Sequence, residues 1–215
     1  MQPVFRDREE AGEKLAERLA GYEEGEVIVL AIPRGGVPVA YQIVKRLKVP
    51  LDLILLRKLP IPWEPEAGFG AIAADGTWVL NQSMVKQLGL TDAQIERIAA
   101  RVLEEVERRR DKYLQGREPL EIQDRMVILV DDGLATGYTM IAAIEVARKK
   151  GARKVIVATP VSPLSTYHRV ASRADELVCL MITEASPFAV ASFYQSFPDM
   201  TDDEVLEYLK PTCPS

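Results

Sequence analysis

An α/β fold with a central parallel sheet flanked by helices is what this sequence predicts, on three observations. Short apolar runs rich in β-branched residues recur at 27–32, 51–56, 127–130, 154–159 and 176–181. Between runs lie segments whose apolar residues return at helical spacing. Strand, helix and strand at that separation make a βαβ unit, which implies parallel pairing. The 215 residues suffice for a sizeable core. With no internal repeat, low-complexity tract or linker, the expectation is a single domain over 1–215.

Taken in order, residues 7–22 read as an amphipathic helix. Asp7 can cap it with Glu10 three residues on, and Ala11, Leu15, Ala16 and Leu19 form its apolar stripe. The first strand, 27–32, runs into Pro33-Arg34-Gly35-Gly36, and a helix follows over about 37–47. Residues 51–56 read as a second strand ending in Arg57-Lys58. The span 59–70 holds three prolines and two glycines, which argues for an irregular, mobile connection. Asp75-Gly76 between 71–74 and 77–80 is the two-residue signal of a tight hairpin, so a flap over about 59–81 is expected. Thr91, with Gln94 three residues on, opens the longest helix, and Gly116 and Pro119 end it. After 127–147, a strand over 154–159 is closed by Pro160, a short helix covers 163–172, and another strand follows at 176–181. The tail from about 183 carries Phe188, Phe193, Tyr194 and Phe197 and a last helix over 201–209.

Composition removes several function classes. A formal net charge of −5 argues against a general nucleic-acid binder. Arg108-Arg109-Arg110 lies in a Glu-rich helix and reads as a solvated face. No apolar run reaches membrane-spanning length, and the first residues do not form a signal peptide. Cys179 and Cys213 make no disulfide framework or zinc site, which suits a reducing cytoplasm. His168 is the only histidine, so histidine catalysis and a His-based metal site are nearly excluded.

The stretch from Val127 to Thr139 carries the chemistry. A buried strand ends in Asp131-Asp132, a loop of small and hydroxylated residues follows, and a helix begins. The helix start offers unpaired N–H groups and a positive dipole end to an anion. Thr136 and Thr139 add hydroxyl donors, while Gly137 admits close approach or positive φ. Asp131 and Asp132 would repel a bare phosphate but can accept hydrogen bonds from sugar hydroxyls. The pattern reads as ribose on the acids and phosphate on the loop. An ordinary βα turn would explain the glycine and one threonine, not two adjacent acids before a doubly hydroxylated loop.

Four apolar residues, Asp-Asp, and Ala-Thr-Gly-x-Thr together resemble the phosphoribosyl pyrophosphate (PRPP) motif of the type I phosphoribosyltransferases. The likeness spans nearly the whole chain, and Pro-Arg-Gly-Gly-Val with Arg-Lys-Leu is similar to loosely characterised bacterial members. It implies that family's fold, with the inserted hairpin as flap and the tail as hood. It also implies PRPP, a small nitrogenous acceptor and Mg²⁺ held mainly through PRPP, with Asp131 or Asp132 as its protein contact. A homodimer acting in the cytoplasm, without nucleic acid or membrane, completes the expectation.

By that resemblance, Arg34, Gly35 and Gly36 form the pyrophosphate loop, and Arg57 and Lys58 the basic end of the next strand. Ala135, Thr136, Gly137, Tyr138 and Thr139 form the phosphate loop. Pyrophosphate leaves C1 of the ribose as a nitrogen attacks. Arg34 and Lys58 stabilise the leaving group, Asp131 and Asp132 steady the charge on the sugar, and the flap excludes water. The acceptor stays open. The 6-oxopurine branch carries an acid where Ala135 stands. Alanine there looks more like the adenine branch, but the segment after Arg57 does not match that branch. Phe188, Phe193 or Tyr194 could stack on a base or simply pack the tail; Glu66, Trp63 and Tyr138 are similarly undecided. A sensor that binds PRPP or a nucleotide without transfer is the alternative, and a hydrolase or phosphorolytic enzyme on ribose phosphates a more distant one.

Overall fold

The structure, a computed structural model, describes residues 4–22 and 27–210, with the backbone alone at 65–67. It comprises two compact units, one of Met1–Ile54 with Pro119–Ser215, the other of Leu55–Glu118.

The larger unit is a parallel sheet of β1 (Val27–Ala31), β2 (Leu51–Leu53), β6 (Met126–Val130), β7 (Lys154–Pro163) and β8 (Glu176–Thr183), with α1 (Arg8–Arg18), α2 (Gly36–Leu47), α5 (Tyr138–Lys149), α6 (Leu164–Ala171) and α7 (Asp202–Leu209). The strand order is β2-β1-β6-β7-β8. Every residue of β1 is buried, as are Val127 to Val130 of β6, which explains their unbroken apolar character: helices cover both faces. From β1 the chain winds first to β2 and then, beyond the smaller unit, to β6 on the other side. The order therefore reverses between β1 and β6. In an open parallel sheet, the crevice beyond the carboxyl ends of such a pair is where ligands bind. Ala31 pairs with Val130 at that end, and the Ile32 N–H donates to the Val130 carbonyl at 2.9 Å.

Local signals set the helix starts. Asp7 caps α1 by accepting from the Glu10 N–H, and Thr201 caps α7 in a capping box with Glu204. Phe5, Ala11, Val161, Phe193 and Tyr194 form a core cluster, with Phe188, Val190 and Phe197 against it. The aromatic tail is thus packing, the plainer of its two sequence readings.

The smaller unit holds an antiparallel sheet of β3 (Leu56–Ile61), β4 (Glu64–Ala73) and β5 (Trp78–Leu80), with α3 (Gln82–Leu88) and α4 (Asp92–Leu114). The Asp75-Gly76 hairpin is present, with Gly76 at φ +80°, and the Thr91–Gln94 capping box opens α4. Both helices belong to this unit. Residues 56–61 and 64–73 form regular strands rather than an irregular connection. Register shifts on either side of Pro60 explain this: a bulge takes up a residue that cannot donate to the ladder.

Two more boundaries differ from expectation. The run 51–56 is not one strand: β2 ends at Leu53, and Arg57-Lys58 lie within β3 instead of ending β2. A continuous apolar run cannot display such a break, which arises where backbone pairing changes partners. Ile54 still donates to Ala31 of the parallel sheet, whereas the Leu55 carbonyl accepts from Ala74, the residue after β4 of the antiparallel one. Pro160 does not close β7, which continues to Pro163 beside β8.

Candidate functional site

Two loops flank the switch point. The first, Pro33-Arg34-Gly35-Gly36, leaves β1 and opens α2, with a cis peptide between Pro33 and Arg34. The absence of side chains on both glycines is required by close approach. A Cβ on Gly35 would lie 2.0 Å from Oδ2 of Asp132, and one on Gly36 2.6 Å from the Val130 carbonyl oxygen. The pyrophosphate loop of the sequence reading therefore packs directly on the second acid of the motif. Arg34, partly exposed, reaches Oδ1 of Asp202 at the start of α7, at 3.7 Å.

The second loop follows β6. Asp131 accepts from the Asp132 N–H through its own Oδ1 at 2.9 Å. Burial, and then the neighbouring Asp132 charge, push the Asp131 carboxyl well above the usual carboxylate range. Burial also raises Asp132, opposed by the hydrogen bond and charge of Arg8. Leu134 donates to the Val161 carbonyl of β7, and Val190 of the tail occupies the space beside Gly133. Ala135, Thr136, Tyr138 and Thr139 are exposed. Gly137 caps α5 at φ +77°, a conformation that favours glycine. The exposed loop thus runs into a helix N-terminus with unpaired N–H groups, an anion-binding arrangement.

Residues outside the motif complete this half, and of them the sequence reading singles out only Tyr194, as a candidate for stacking on a base. Thr166 donates to the Ala135 carbonyl at 2.9 Å, and Arg169 donates to the Thr136 carbonyl at 2.8 Å, with its guanidinium 5.3 Å from the centre of the Tyr138 ring. Tyr194 donates to the backbone carbonyl of Asp132 at 2.6 Å, and Arg8 pairs with its carboxylate. The only local hint was the i, i+3 placement of Thr166 and Arg169 on one helix face.

Arg34, Gly35, Gly36, Asp131, Asp132 and 135–139 are therefore gathered at one end of the parallel sheet. Arg57 and Lys58 belong to the smaller unit, where Arg57 pairs with Glu105 at 3.0 Å. Trp63 is exposed there, and the Glu66 side chain lies outside the described residues.

Likeness to known proteins agrees with this geometry. The model of the phosphoribosyl transferase domain matches residues 6–59 and 73–193. The chain belongs to the phosphoribosyl transferase domain family. Two Mycobacterium tuberculosis proteins, curated under a provisional name of phosphoribosyl transferase, are 44% identical over 206 residues, 96% of this chain and 46% of theirs. The chain spans about half the length of these curated relatives. A ribose-phosphate pyrophosphokinase of Pyrococcus furiosus is 36% identical over 74 residues, 34% of this chain and 25% of that one. The crystal structure of TT1426 from Thermus thermophilus superposes with a TM-score of 0.89 at 37% identity, covering 100% of both chains. The parallel sheet with a separate small antiparallel sheet is the type I phosphoribosyltransferase fold. Among the described residues, no helix is long and apolar enough to cross a membrane.

Proposed function

We propose that this chain transfers the phosphoribosyl group of PRPP to a small nitrogenous base or amine, releasing pyrophosphate. The observation that carries the reading is the meeting of two loops at the switch point: Gly35 of the first lies against Asp132 of the second, while an exposed loop beyond opens α5. One molecule with an anionic group at each end and a sugar between them fits that arrangement. The local likeness to a protein named ribose-phosphate pyrophosphokinase supports a ribose phosphate as the ligand.

In this reading the 5′-phosphate lies on residues 135–139, where the α5 N–H groups and the Thr136 and Thr139 hydroxyls donate to it. Asp131 accepts from the ribose hydroxyls. Arg34 and the N–H groups at the start of α2 receive the pyrophosphate. As the bond from C1 to pyrophosphate breaks, charge grows on the leaving group, and Arg34 stabilises it. Arg34 then exchanges Asp202 for the pyrophosphate. The developing positive charge on the ribose faces Asp131 and favours the carboxylate form that burial alone disfavours.

Asp131 and Asp132 offer the hard carboxylate oxygens that suit Mg²⁺, and among the described residues no group of three or more His, Cys, Asp or Glu could hold a metal ion. These residues fit an ion carried chiefly by substrate oxygens, with Asp131 as its protein contact. Mg²⁺ so held would neutralise pyrophosphate charge during departure.

The test is pyrophosphate release from PRPP and Mg²⁺ with a panel of purines, pyrimidines and simple amines. Release with one acceptor establishes transfer and names the acceptor. PRPP binding without release from any acceptor would favour a sensor, and absence of PRPP binding would refute the reading.

A further inference from the structure

Arg8 stands on the first turn of α1, far in sequence from the motif, yet its guanidinium is committed on three sides. Nε donates to Oδ2 of Asp132 at 2.7 Å, and Nη1 donates to the Pro198 carbonyl at 2.8 Å. Its face lies over the Phe197 ring, 3.7 Å from the ring centre. The side chains of the ion pair are only 10% and 14% exposed, so solvent screens this pair far less than a surface one. A buried arginine is unfavourable unless its donors are answered, and here a carboxylate, a carbonyl and an aromatic face answer it.

The partner of this arginine is the carboxylate that touches the pyrophosphate loop. Oδ2 of Asp132 accepts from Arg8 and also fills the space beside Gly35. The Asp132 backbone is held separately, by the Tyr194 hydroxyl on its carbonyl. Both ties end in the tail, Tyr194 directly and Arg8 through Phe197 and Pro198. The two aspartates are consequently unequal. Among the described residues, Asp131 is bonded only within the motif, to the Asp132 N–H, and Asp132 is clamped from outside it.

We infer that Arg8 is a positioning residue of the phosphoribosyl site: it fixes the Asp132 carboxylate against Gly35 and cancels its charge where the pyrophosphate of PRPP must approach. This rests on the reading given under Proposed function. Without Arg8, two adjacent carboxylates would face a polyanion, and the Asp132 side chain would be free to turn into the space the pyrophosphate needs. The start of α1 and residues 194–198 are then part of the binding site, although neither carries a motif.

Calorimetric titration with PRPP and Mg²⁺ tests this, because it needs no acceptor. Wild type, Arg8→Gln, Arg8→Lys, Asp132→Asn and the Arg8→Gln/Asp132→Asn double variant are compared, with thermal melts identifying the folded chains. Arg8→Gln is expected to weaken binding tenfold or more, and Arg8→Lys to recover part of the loss by restoring the charge without the fork. The double variant is expected to bind no worse than Asp132→Asn alone, because Arg8 acts through Asp132. Wild-type affinity in Arg8→Gln, or losses that multiply in the double variant, would overturn the inference. If Arg8→Gln does not fold, Phe197→Leu and Arg8→Lys decide: weakened binding in both sustains it, and unchanged binding in either overturns it. A wild-type chain that binds no PRPP would refute the parent reading and this inference with it, whereas wild-type binding untouched by Arg8 would refute this inference alone.

Discussion

Oδ2 of Asp132 stands where a side chain on Gly35 would have to begin: a Cβ there would lie only 2.0 Å from it. This contact joins the end of β1 to the end of β6 and makes the two ligand loops one surface. Gly35→Ala must therefore displace the Asp132 carboxylate from Arg8. Overpacking of this kind typically costs about 1–3 kcal/mol. We expect a lower urea midpoint and PRPP affinity reduced at least tenfold. Wild-type affinity with an unchanged midpoint would mean that the contact is unimportant.

Gly137 is held at φ +77° with Thr166 and Val170 against it, the nearest atoms being 2.8 and 2.9 Å from a built Cβ. A non-glycine residue in the left-handed region costs roughly 1–2 kcal/mol before any clash. Gly137→Ala should disturb residues 135–139 and weaken PRPP more than it weakens free pyrophosphate, which has no 5′-phosphate. Equal loss for both ligands would count against the placement of the phosphate.

Asp131 gives a pH dependence with a definite sign. Its folded-state value is raised above the ordinary 3.8, first by burial and then by Asp132. Between pH 3.8 and that raised value the folded chain therefore holds a proton that the unfolded chain has released, so stability falls as pH rises across this window and levels off above it. Asp131→Asn should flatten this fall and be more stable than wild type at neutral pH, while losing PRPP binding. Urea titrations at several pH values between about 4 and about 8 would show it, and a variant less stable than wild type at neutral pH would contradict it.

Arg34 is partly exposed and pairs with Asp202 at 3.7 Å, a separation at which surface pairs contribute about 1 kcal/mol or less. Asp202→Asn should remove a competitor for Arg34 and tighten PRPP binding, by no more than about fivefold. The gain should shrink at high ionic strength. Weaker binding would show that Asp202 assists the site.

Thr166 bonds the Ala135 carbonyl from a different element, and Thr166→Val removes that bond while keeping the shape. Leaving a carbonyl without its donor typically costs about 1–3 kcal/mol when buried. Because residue 135 is exposed, we expect an effect at the low end, read as a modest loss of PRPP affinity with little change in melting temperature. A large drop in stability with unchanged affinity would make Thr166 a folding residue only.

The parallel sheet, the helix caps at Asp7 and Thr91, the Asp75-Gly76 hairpin and the motif loop are all legible in the sequence. Each is a local pattern: an apolar period, a capping oxygen three residues ahead, or a glycine where φ must be positive. The errors lay where local pattern and pairing diverge. Residues 59–70 looked irregular because of their prolines, yet a bulge at Pro60 lets β3 and β4 pair. The apolar run 51–56 hid a change of sheet, because hydrophobicity alone does not say which strand a backbone bonds.

By itself, the sequence determined that β6 ends in two acids, that a glycine-bearing loop opens a helix after them, and that Pro33-Arg34-Gly35-Gly36 follows another buried strand. That the two loops meet follows from the β1–β6 neighbour relation, and that the acids differ follows from contacts distant in sequence. Asp132 is claimed by Arg8 and Tyr194, at sequence separations of 124 and 62. Such contacts leave no mark in local periodicity. They form because the folded core places the start of α1 and the tail against the same strand end, where a buried charge must find its counter-charge.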